Sequence, residues 1–333
     1  FNTKLYTGNG STQSITGVGF QPDWIWIKDR DNAYSHLLVD SIRGNTKTLN
    51  SNETSAEGTA SDRVTSFDSN GFSLGSYIGS NKSSSNVVSW NWLASNTTAS
   101  NTDGSITSTV SANTTAGFSI VSYSGSTNST FTVGHGLSAV PKIFILKKRS
   151  SSGTNWVMYN ANLGNDKRIQ LNNTDASAGT SGYGNTDPTS SVFTVANGST
   201  TGADGQTYIA YCFAEKKGYS KFGSYTGNGN ADGTFVYTGF KPAMMIVKNT
   251  DIGTGRDWQI FDNKRLGYNV DNNYLFPNLS DAEGTADRVD FLSNGFKWRT
   301  TANTYNASGN NYIYMCFAEN PFVTSTGIPT TAR

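Results

Sequence analysis

Charged residues are scarce in this sequence, and the scarcity excludes several classes of protein. Lys, Arg, Asp and Glu make up 15% of the 333 residues and leave a formal net charge of +1. About a quarter of the residues in an ordinary globular domain are charged. Nucleic-acid-binding proteins usually carry a clearly basic face, so no nucleic acid partner is predicted. No apolar run approaches the roughly 18 residues of a membrane-spanning helix, so no membrane insertion is predicted.

Glutamate is especially rare, with five in the whole chain. Glycosidases need a pair of carboxylates about 5 to 10 Å apart across the sugar. Glu57 and Glu283 occupy matching positions in a repeat described below. A repeated position favours a structural role, such as an ion pair with Arg63 and Arg288, over catalysis.

Other catalytic groups are equally sparse. The two histidines, His36 and His135, do not occupy matching repeat positions, and neither lies in a nucleophile motif. The sequence contains no Gly-x-Ser-x-Gly, no metal-spaced His or Cys pair and no phosphate-binding loop. We therefore predict that the protein is not an enzyme and holds no metal or other cofactor, apart from the weak calcium candidates described below.

Two cysteines are present, Cys212 and Cys316, at the same position of two repeat copies. Equivalent positions in successive modules lie about a domain width apart, too far for a disulfide. Both are predicted to be buried small hydrophobic residues.

The chain contains one sequence motif in three copies, which we call the repeated phrase. Gly19–Lys28 and Gly239–Lys248 are clear relatives, and Gly136–Lys147 is a looser one. Each has Gly, an apolar residue, a spacer, Pro and a hydrophobic strand that ends in Lys. The spacing of roughly 100 to 120 residues suits small domains in tandem rather than a solenoid.

The repeat extends beyond this phrase. Ala56–Val64 matches Ala282–Val289 with one residue deleted, and the closing strand Tyr208–Glu215 matches Tyr312–Glu319. Tandem copies of one module usually present a surface rather than build one catalytic centre. The repeat therefore favours adhesion or assembly.

Strand and turn patterns predict an all-β fold. Trp24–Ile27 and Met244–Val247 are typical of strands buried on both faces. Asn70-Gly71 and Asn294-Gly295 lie between apolar segments, which is a strong hairpin signal. Short strands in modules of about 100 residues predict three tandem β-sandwiches of the jelly-roll or lectin-like type. Six tryptophans in these strands are predicted to be buried packing residues: Trp24, Trp26, Trp90, Trp92, Trp156 and Trp258.

Composition shifts predict the domain limits. The predicted parts are module one (1–95), a Ser/Thr/Asn-rich stretch (96–116), a diverged module two (117–217), module three (218–322) and an extended C-terminal arm (323–333). The stretch 96–116 is interpreted either as a linker or as a strand pair between modules.

Three segments carry a family resemblance: Tyr6–Ser11, Gly17–Lys28 and Ser66–Phe72. They resemble an uncharacterised repeat domain of marine bacteriophage virion proteins, which are described as tail-fibre-like or similar to concanavalin-type lectins. The resemblance is strong over 3–95, good over 218–322 and weaker over 117–217. It implies a virion appendage outside the cell, made of jelly-roll modules, that attaches to the host surface.

Surface aromatics are the candidates for a glycan site. Sugar recognition combines an aromatic platform with polar groups that bond hydroxyls, an extension of the general logic of ligand sites. The candidates are aromatics with polar neighbours in predicted loops, namely Tyr34, Tyr183, Tyr268, Tyr274 and Tyr305. The alternative for each is local packing over the ends of the sandwich.

A calcium site is a weaker hypothesis. Asp29 and Asp31 follow a core strand in the first copy, and Asp251 and Asp257 take a similar place in the third. Hard oxygen ligands at a loop suit Ca²⁺. A turn rich in Asp and Asn is the favoured alternative.

Three hypotheses for function follow. The first is a phage tail-fibre-like or decoration protein that binds a bacterial surface glycan. The second is a structural virion protein that has no ligand and contacts other virion proteins. The third, disfavoured by the scarce carboxylates, is a polysaccharide depolymerase. A homo-oligomer, possibly a trimer as in fibres generally, is expected because closed symmetric oligomers are common.

Overall fold

A computed structural model of the chain describes residues 1–265, 269 and 272–318. Within this part the protein is β-structure throughout, apart from one four-residue helix, α1 (Ile78–Asn81). The all-β prediction is confirmed. In the described residues no helix has the length and apolarity to cross a membrane.

The chain forms two compact units by its internal contacts. The first comprises residues 1–172 and 178–214, and the second comprises residues 173–177 and the chain from Glu215 onward. The first two sequence copies therefore share a unit instead of standing as separate domains. The last residues of the predicted third module (319–322) and the predicted arm 323–333 lie outside the described residues.

The strands follow the repeat. In the first copy they are β1 (Asn2–Thr7), β2 (Gln13–Thr16), β3 (Trp24–Asp29), β4 (Leu37–Asp40), β5 (Lys47–Thr48), β6 (Gly58–Thr59), β7 (Val64–Asp68), β8 (Gly71–Leu74) and β9 (Asn86–Trp92). Next come β10 (Ala99–Asn101), β11 (Ser108–Asn113), β12 (Phe118–Ser124), β13 (Thr130–Gly134), β14 (Ile143–Lys148), β15 (Val157–Asn160), β16 (Lys167–Gln170), β17 (Ala178–Gly179), β18 (Val192–Ala196) and β19 (Thr207–Phe213). The third copy has β20 (Ser220–Thr226), β21 (Phe235–Tyr237), β22 (Pro242–Asn249), β23 (Gln259–Asp262), β24 (Asn272–Tyr274), β25 (Gly284–Ala286), β26 (Val289–Leu292), β27 (Gly295–Trp298) and β28 (Asn311–Ala318).

One strand order recurs in every copy. The first copy has a four-stranded sheet, β1-β9-β3-β4, and a three-stranded sheet, β2-β8-β7. The third copy repeats both as β20-β28-β22-β23 and β21-β27-β26. In the second copy the order β12-β19-β14-β15 lies inside an eight-stranded sheet, and β13 pairs with β18.

Each copy has a hydrophobic core between its two sheets. In the first copy Ile25 and Val87 of the larger sheet share one buried cluster with Ile15 and Phe72 of the smaller sheet. Comparable clusters form in the second and third copies. Inner faces of two sheets that bury one core are the packing of a β-sandwich.

The stretch 96–116 forms the strand pair rather than an open linker. β10 pairs with β11, and β11 pairs with β12 at the edge of the second copy's sheet. Its polar composition suits an edge position, where one side of each strand faces water.

Both predicted Asn-Gly hairpins are confirmed. β7 and β8 meet at Asn70-Gly71, and β26 and β27 meet at Asn294-Gly295. A Cβ at Gly71 would lie 1.9 Å from the carbonyl oxygen of Ile15, and one at Gly295 would lie 2.1 Å from that of Val236. The neighbouring strand passes so close that only glycine fits at either turn.

Within the first unit, aromatic side chains cover the outer face of the first copy's larger sheet. Trp24 stacks on Tyr211 of β19 with ring centroids 4.2 Å apart and an interplanar angle of 15°. Phe118 of β12, the strand next to β19, also stacks on Trp24 with ring centroids 5.9 Å apart. The six tryptophans predicted from the sequence to be buried are at most 2% exposed, which confirms their predicted burial, although Trp156 and Trp258 directly precede strands instead of lying in them.

The lysine that ends each repeated phrase is buried. Lys147 Nζ donates to the carbonyl oxygens of Thr154 at 2.8 Å and Thr54 at 3.2 Å. In the second unit, Lys248 Nζ donates to the carbonyl oxygen of Thr174 at 3.0 Å. Burial lowers the pKa of both lysines to about 8. Main-chain carbonyls therefore satisfy the ammonium groups in place of water.

We predict that Trp24→Ala lowers the free energy of unfolding of the first unit by about 3–5 kcal/mol, because it leaves a cavity against Tyr211. Tyr211→Phe removes the hydroxyl that donates to Asp40 Oδ2 at 2.7 Å and is expected to cost about 1–3 kcal/mol. Urea unfolding followed by far-UV circular dichroism measures both. The exposed Thr65→Ala serves as control, with an expected change of about 0.5 kcal/mol. Trp24→Ala within that margin would contradict the prediction.

Candidate functional site

The structure corrects two of the predicted glycan-binding tyrosines. Tyr183 is 1% exposed and Tyr305 is 4% exposed, each inside the core of its own copy. Tyr183 meets Phe144 edge to face at 5.3 Å, and Tyr305 stacks on Trp298 at 4.9 Å. A ring that is at most 4% exposed offers no face to a sugar. The predicted residue Tyr268 lies outside the described residues.

Tyr274 is half-buried and committed to packing. Its ring lies 5.3 Å from that of Phe276 and 6.4 Å from that of Phe261. Tyr34 is the remaining candidate, and it is also half-buried. Unlike Tyr274, it borders an open cavity.

This cavity, which we call the Tyr34 pocket, has a volume of about 430 Å³ and lies entirely on the first copy. Its lining is mainly polar and includes Tyr34, Ser35, Asn50, Glu53, Ser55, Arg63 and Tyr77. These residues come from four separate chain segments. The strands β4 to β8 bring the segments together.

Glu53 organises the polar side of the Tyr34 pocket. Its Oε1 accepts hydrogen bonds from Ser35 Oγ at 2.5 Å and Asn50 Nδ2 at 3.1 Å. Its Oε2 accepts one from Ser55 Oγ at 3.0 Å. Three neutral donors hold one carboxylate in place, so the group is oriented as a hydrogen-bond acceptor.

Aromatic rings frame the other side. The Arg63 guanidinium lies 4.4 Å from the centroid of Tyr77, and Lys82 Nζ lies 5.8 Å from that of Tyr34. Such cation–π contacts hold a cation over the ring face, at about 0.5–1 kcal/mol for an exposed site. The pocket thus combines fixed ring faces with carboxylate, amide, hydroxyl and guanidinium groups.

The other copies do not have this pair of tyrosines. The backbone N–H groups of His36, Trp156 and Trp258 each bond the side chain of an equivalent asparagine. This alignment places Thr154 and Arg256 at the position of Tyr34. The N–H of Asn81 donates to the carbonyl oxygen of Tyr77, as the N–H of Asn306 donates to that of Ala302, so Tyr77 and Ala302 occupy equivalent positions. The shared fold therefore does not require either tyrosine.

Sequence reasoning missed Tyr77 and Arg63 as pocket residues. The detectable signal was the internal comparison: Tyr77 stands where the third copy has Ala302. Arg63 was expected to pair with Glu57. Because the pocket joins segments up to about 40 residues apart, spacing alone does not reveal it.

The calcium candidates form turns. Asp29 Oδ1 accepts the backbone N–H groups of Asp31 at 2.9 Å and Asn32 at 2.8 Å. Asp31 Oδ2 accepts the N–H of Asn86 at 2.7 Å. The Asp29 carboxylate thus satisfies the backbone donors of an Asx turn, and Asp31 satisfies a donor at the start of β9.

The third copy shows the same arrangement. Asp251 Oδ2 accepts the N–H of Asn311 at 2.8 Å, and Asp257 Oδ1 accepts from Asn278 Nδ2 at 2.7 Å. Across residues 1–265, 269 and 272–318, no group of three or more His, Cys, Asp or Glu is placed to hold a metal ion. The turn interpretation applies to Asp29, whereas Asp31 and Asp251 accept N–H groups from distant strands and Asp257 accepts from an asparagine side chain.

Glu57 and Glu283 have the predicted structural role but with different arginines. Glu57 pairs with Arg43 at 3.4 Å and Arg149 at 2.8 Å. Glu283 pairs with Arg265 at 2.9 Å. The pairing expected with Arg63 and Arg288 is therefore corrected.

Arg43 and Arg265 each bind an aspartate as well. Arg43 Nε lies 2.5 Å from Asp40 Oδ2, and Arg265 Nε lies 2.7 Å from Asp262 Oδ2, with all four side chains fully buried. The second copy replaces the set Asp40, Arg43 and Glu57 with Asn160, Leu163 and Ser177, as the β5–β6 and β16–β17 registers show. The ionic group is lost as a whole, because a lone buried charge is costly.

The buried residues with reactive groups are satisfied or inert. His36 Nδ1 accepts from Trp26 Nε1 at 2.8 Å. His135 Nδ1 accepts from the N–H of Leu137, so its Nε2 donates to the carbonyl oxygen of Thr189. Cys212 and Cys316 are free and buried, as predicted, and burial raises the pKa of both thiols.

Comparison with known proteins identifies a family without an assigned function. The family described as "Domain of unknown function (DUF7483)" matches residues 1–321. The match covers all three sequence copies together. No curated protein and no solved structure matches the chain.

We predict that Arg43→Leu alone lowers the free energy of unfolding by about 3–5 kcal/mol, because it strands the Asp40 carboxylate in the core. Adding Asp40→Asn and Glu57→Ser installs the residues of the second copy and should recover at least half of the loss. Denaturant unfolding of the two variants measures the difference. A triple variant as unstable as Arg43→Leu would show that the set does not act as a unit.

Stability should also depend on the neutral state of His135. Burial lowers its pKa from the ordinary value of 6.5, so the unfolded chain binds a proton more readily than the folded chain. The free energy of unfolding should therefore fall as the pH drops below 6.5, by up to about 1.4 kcal/mol per pH unit. The measurement compares wild type with His135→Gln at pH 7.5 and pH 5.5. Equal losses in both proteins would refute the assignment.

Proposed function

We propose, for a chain that belongs to the DUF7483 family of unknown function, that it binds a cell-surface glycan through the Tyr34 pocket. The observation that carries the proposal is the pocket itself. Two tyrosines that the repeated fold does not require face a set of oriented hydrogen-bonding side chains. Concave sites with aromatic walls and a few fixed polar groups are typical of small-ligand binding.

The chemistry of the lining favours a sugar. A pyranose has an apolar face that packs on a ring and hydroxyls that both donate and accept. Glu53 accepts hydrogen bonds, Arg63 donates them, and Asn50 does both. A lining that offers several hydrogen-bond donors and acceptors suits a ligand with many hydroxyl groups better than an apolar ligand.

The same lining favours binding over cleavage. Among the described residues that line the pocket, Glu53 is the only one with a carboxylate. Hydrolysis of a glycosidic bond needs a second carboxylate across the sugar. The depolymerase alternative therefore has less support.

The biological setting is proposed from the sequence. The resemblance to tail-fibre-like virion proteins supports an extracellular bacteriophage appendage whose partners are other virion proteins and a bacterial surface glycan. The recurring strand order supports three copies of one lectin-like sandwich module, as the repeat indicated. A homo-oligomer, with a trimer as the first hypothesis, would multiply weak sugar contacts through avidity.

The test is a glycan array of bacterial surface polysaccharides probed with the whole chain. Wild type should retain one glycan class. Tyr34→Thr with Tyr77→Ala, the residues of the second and third copies, should weaken that binding at least tenfold, about the loss of one central aromatic contact. The measurement is titration calorimetry with the retained glycan.

Two results would oppose the proposal. Unchanged affinity of the double variant would place the site elsewhere. Retention of no glycan by a correctly folded sample, together with a stable assembled mass, would favour the purely structural virion role. Thermal unfolding of the variant serves as the folding control.

A further inference from the structure

The third copy carries an exposed aromatic pair outside the Tyr34 pocket. Phe235 is 44% exposed and Tyr237 is 64% exposed, whereas Val236 between them is buried. Alternation along β21 places both rings on its outward side. β21 is the edge strand of the sheet β21-β27-β26.

The pair is absent from the other copies. Val236 pairs with Phe296 as Ile15 pairs with Phe72 and as Val133 pairs with Phe193. By this register, Ser14 and Thr16 of the first copy occupy the positions equivalent to Phe235 and Tyr237. In the second copy the residues are Thr132 and Gly134. Small polar residues therefore satisfy the fold at these positions, and the exposed rings need another explanation.

A groove of about 390 Å³ lies beside Tyr237. Lys217, Lys221 and Glu215 contribute its charges. Glu215 Oε1 accepts the N–H of Phe222 at 2.8 Å, and its Oε2 accepts from Lys221 Nζ at 3.2 Å. The carboxylate is thus held, while Lys217 is exposed and the Lys221 side chain keeps 42% exposure.

Among the described residues that line the groove, two lysines and one glutamate leave a positive balance of charge. Two ammonium groups face one carboxylate, and an ion pair this exposed is weak, so Lys221 can share its charge with a ligand. An aromatic platform beside two such groups combines stacking with attraction for an anion. Tyr237 lines the groove together with Lys217 and Lys221, and Phe235 lies two residues before it on the same face of β21.

We propose that Phe235, Tyr237, Lys217 and Lys221 form a second binding site, which takes an acidic polysaccharide that carries uronic acid carboxylates. The sugar face packs on Tyr237 and Phe235, and the carboxylates meet the lysines. The site lies in the second unit and does not depend on the Tyr34 pocket. It shares only the ligand class, carbohydrate, with the proposed function.

The test measures binding of the whole chain to oligomers of galacturonate, mannuronate and guluronate by titration calorimetry at low salt. Methyl-esterified oligogalacturonate is the matched neutral probe. We expect at least one uronate oligomer to bind, with affinity that falls as salt rises. If oligogalacturonate binds, its neutral ester should bind at least about tenfold more weakly.

Variants then locate the site. Phe235→Ser with Tyr237→Thr installs the first copy's residues and should weaken binding at least tenfold, about the loss of one central aromatic contact. Lys217→Gln should weaken it about three- to fivefold. Tyr34→Thr with Tyr77→Ala is the control and should leave uronate binding unchanged, which separates this proposal from the previous one.

Several outcomes would overturn the proposal. They are no binding by any of the three uronates, equal binding of the esterified oligomer, or binding unaffected by the aromatic double variant. If dextran sulfate binds as tightly as the uronates, and equally to wild type and to the Phe235/Tyr237 double variant, charge attraction alone explains the binding. A wild-type dimer that the double variant converts to a monomer, without uronate binding, would assign the pair to an interface between copies of the chain.

Discussion

The first unit depends on the covering of one aromatic surface. The larger sheet of the first copy has apolar residues on both faces, and its own smaller sheet can cover only the inner one. Trp24, on the outer face, lies flat against Tyr211 of the second copy. Without that contact the sheet would expose indole rings to water at a cost of about 25 cal/mol for each Å² of apolar surface. Two copies therefore share one compact unit.

Polar features of the interface follow from the same burial. Tyr211 OH donates to Asp40, whose other contacts fix Arg43. In the second copy, Asn160 takes the place of Asp40 and Leu163 takes the place of Arg43. Removing one partner from a buried ionic group is strongly destabilising, so its members tend to be kept or lost together. The second copy differs from the first at all three positions, so no charge of this ionic group is left there without its partners.

Local patterns in the sequence predicted much of the architecture. The Asn-Gly pairs at Gly71 and Gly295 and the apolar run at Trp24 depend on near neighbours, so their structure could be inferred directly. Tyr183 and Tyr305 could not be placed, because a loop residue is buried or exposed according to chain segments far away in sequence. The Tyr34 pocket has the same difficulty. Internal comparison compensates, since differences at matched positions mark residues that the fold leaves free.

Lys147 of the second copy donates a hydrogen bond to the carbonyl oxygen of Thr54, which belongs to the first copy. A protein with a single copy would have to find a partner molecule to provide both that carbonyl and the aromatic cover, and its folding would vary with concentration. Joining the copies in one polypeptide turns this association into an intramolecular step with a high effective concentration. The connection between the first two copies thus replaces a dilution-sensitive complex with one that persists at any concentration.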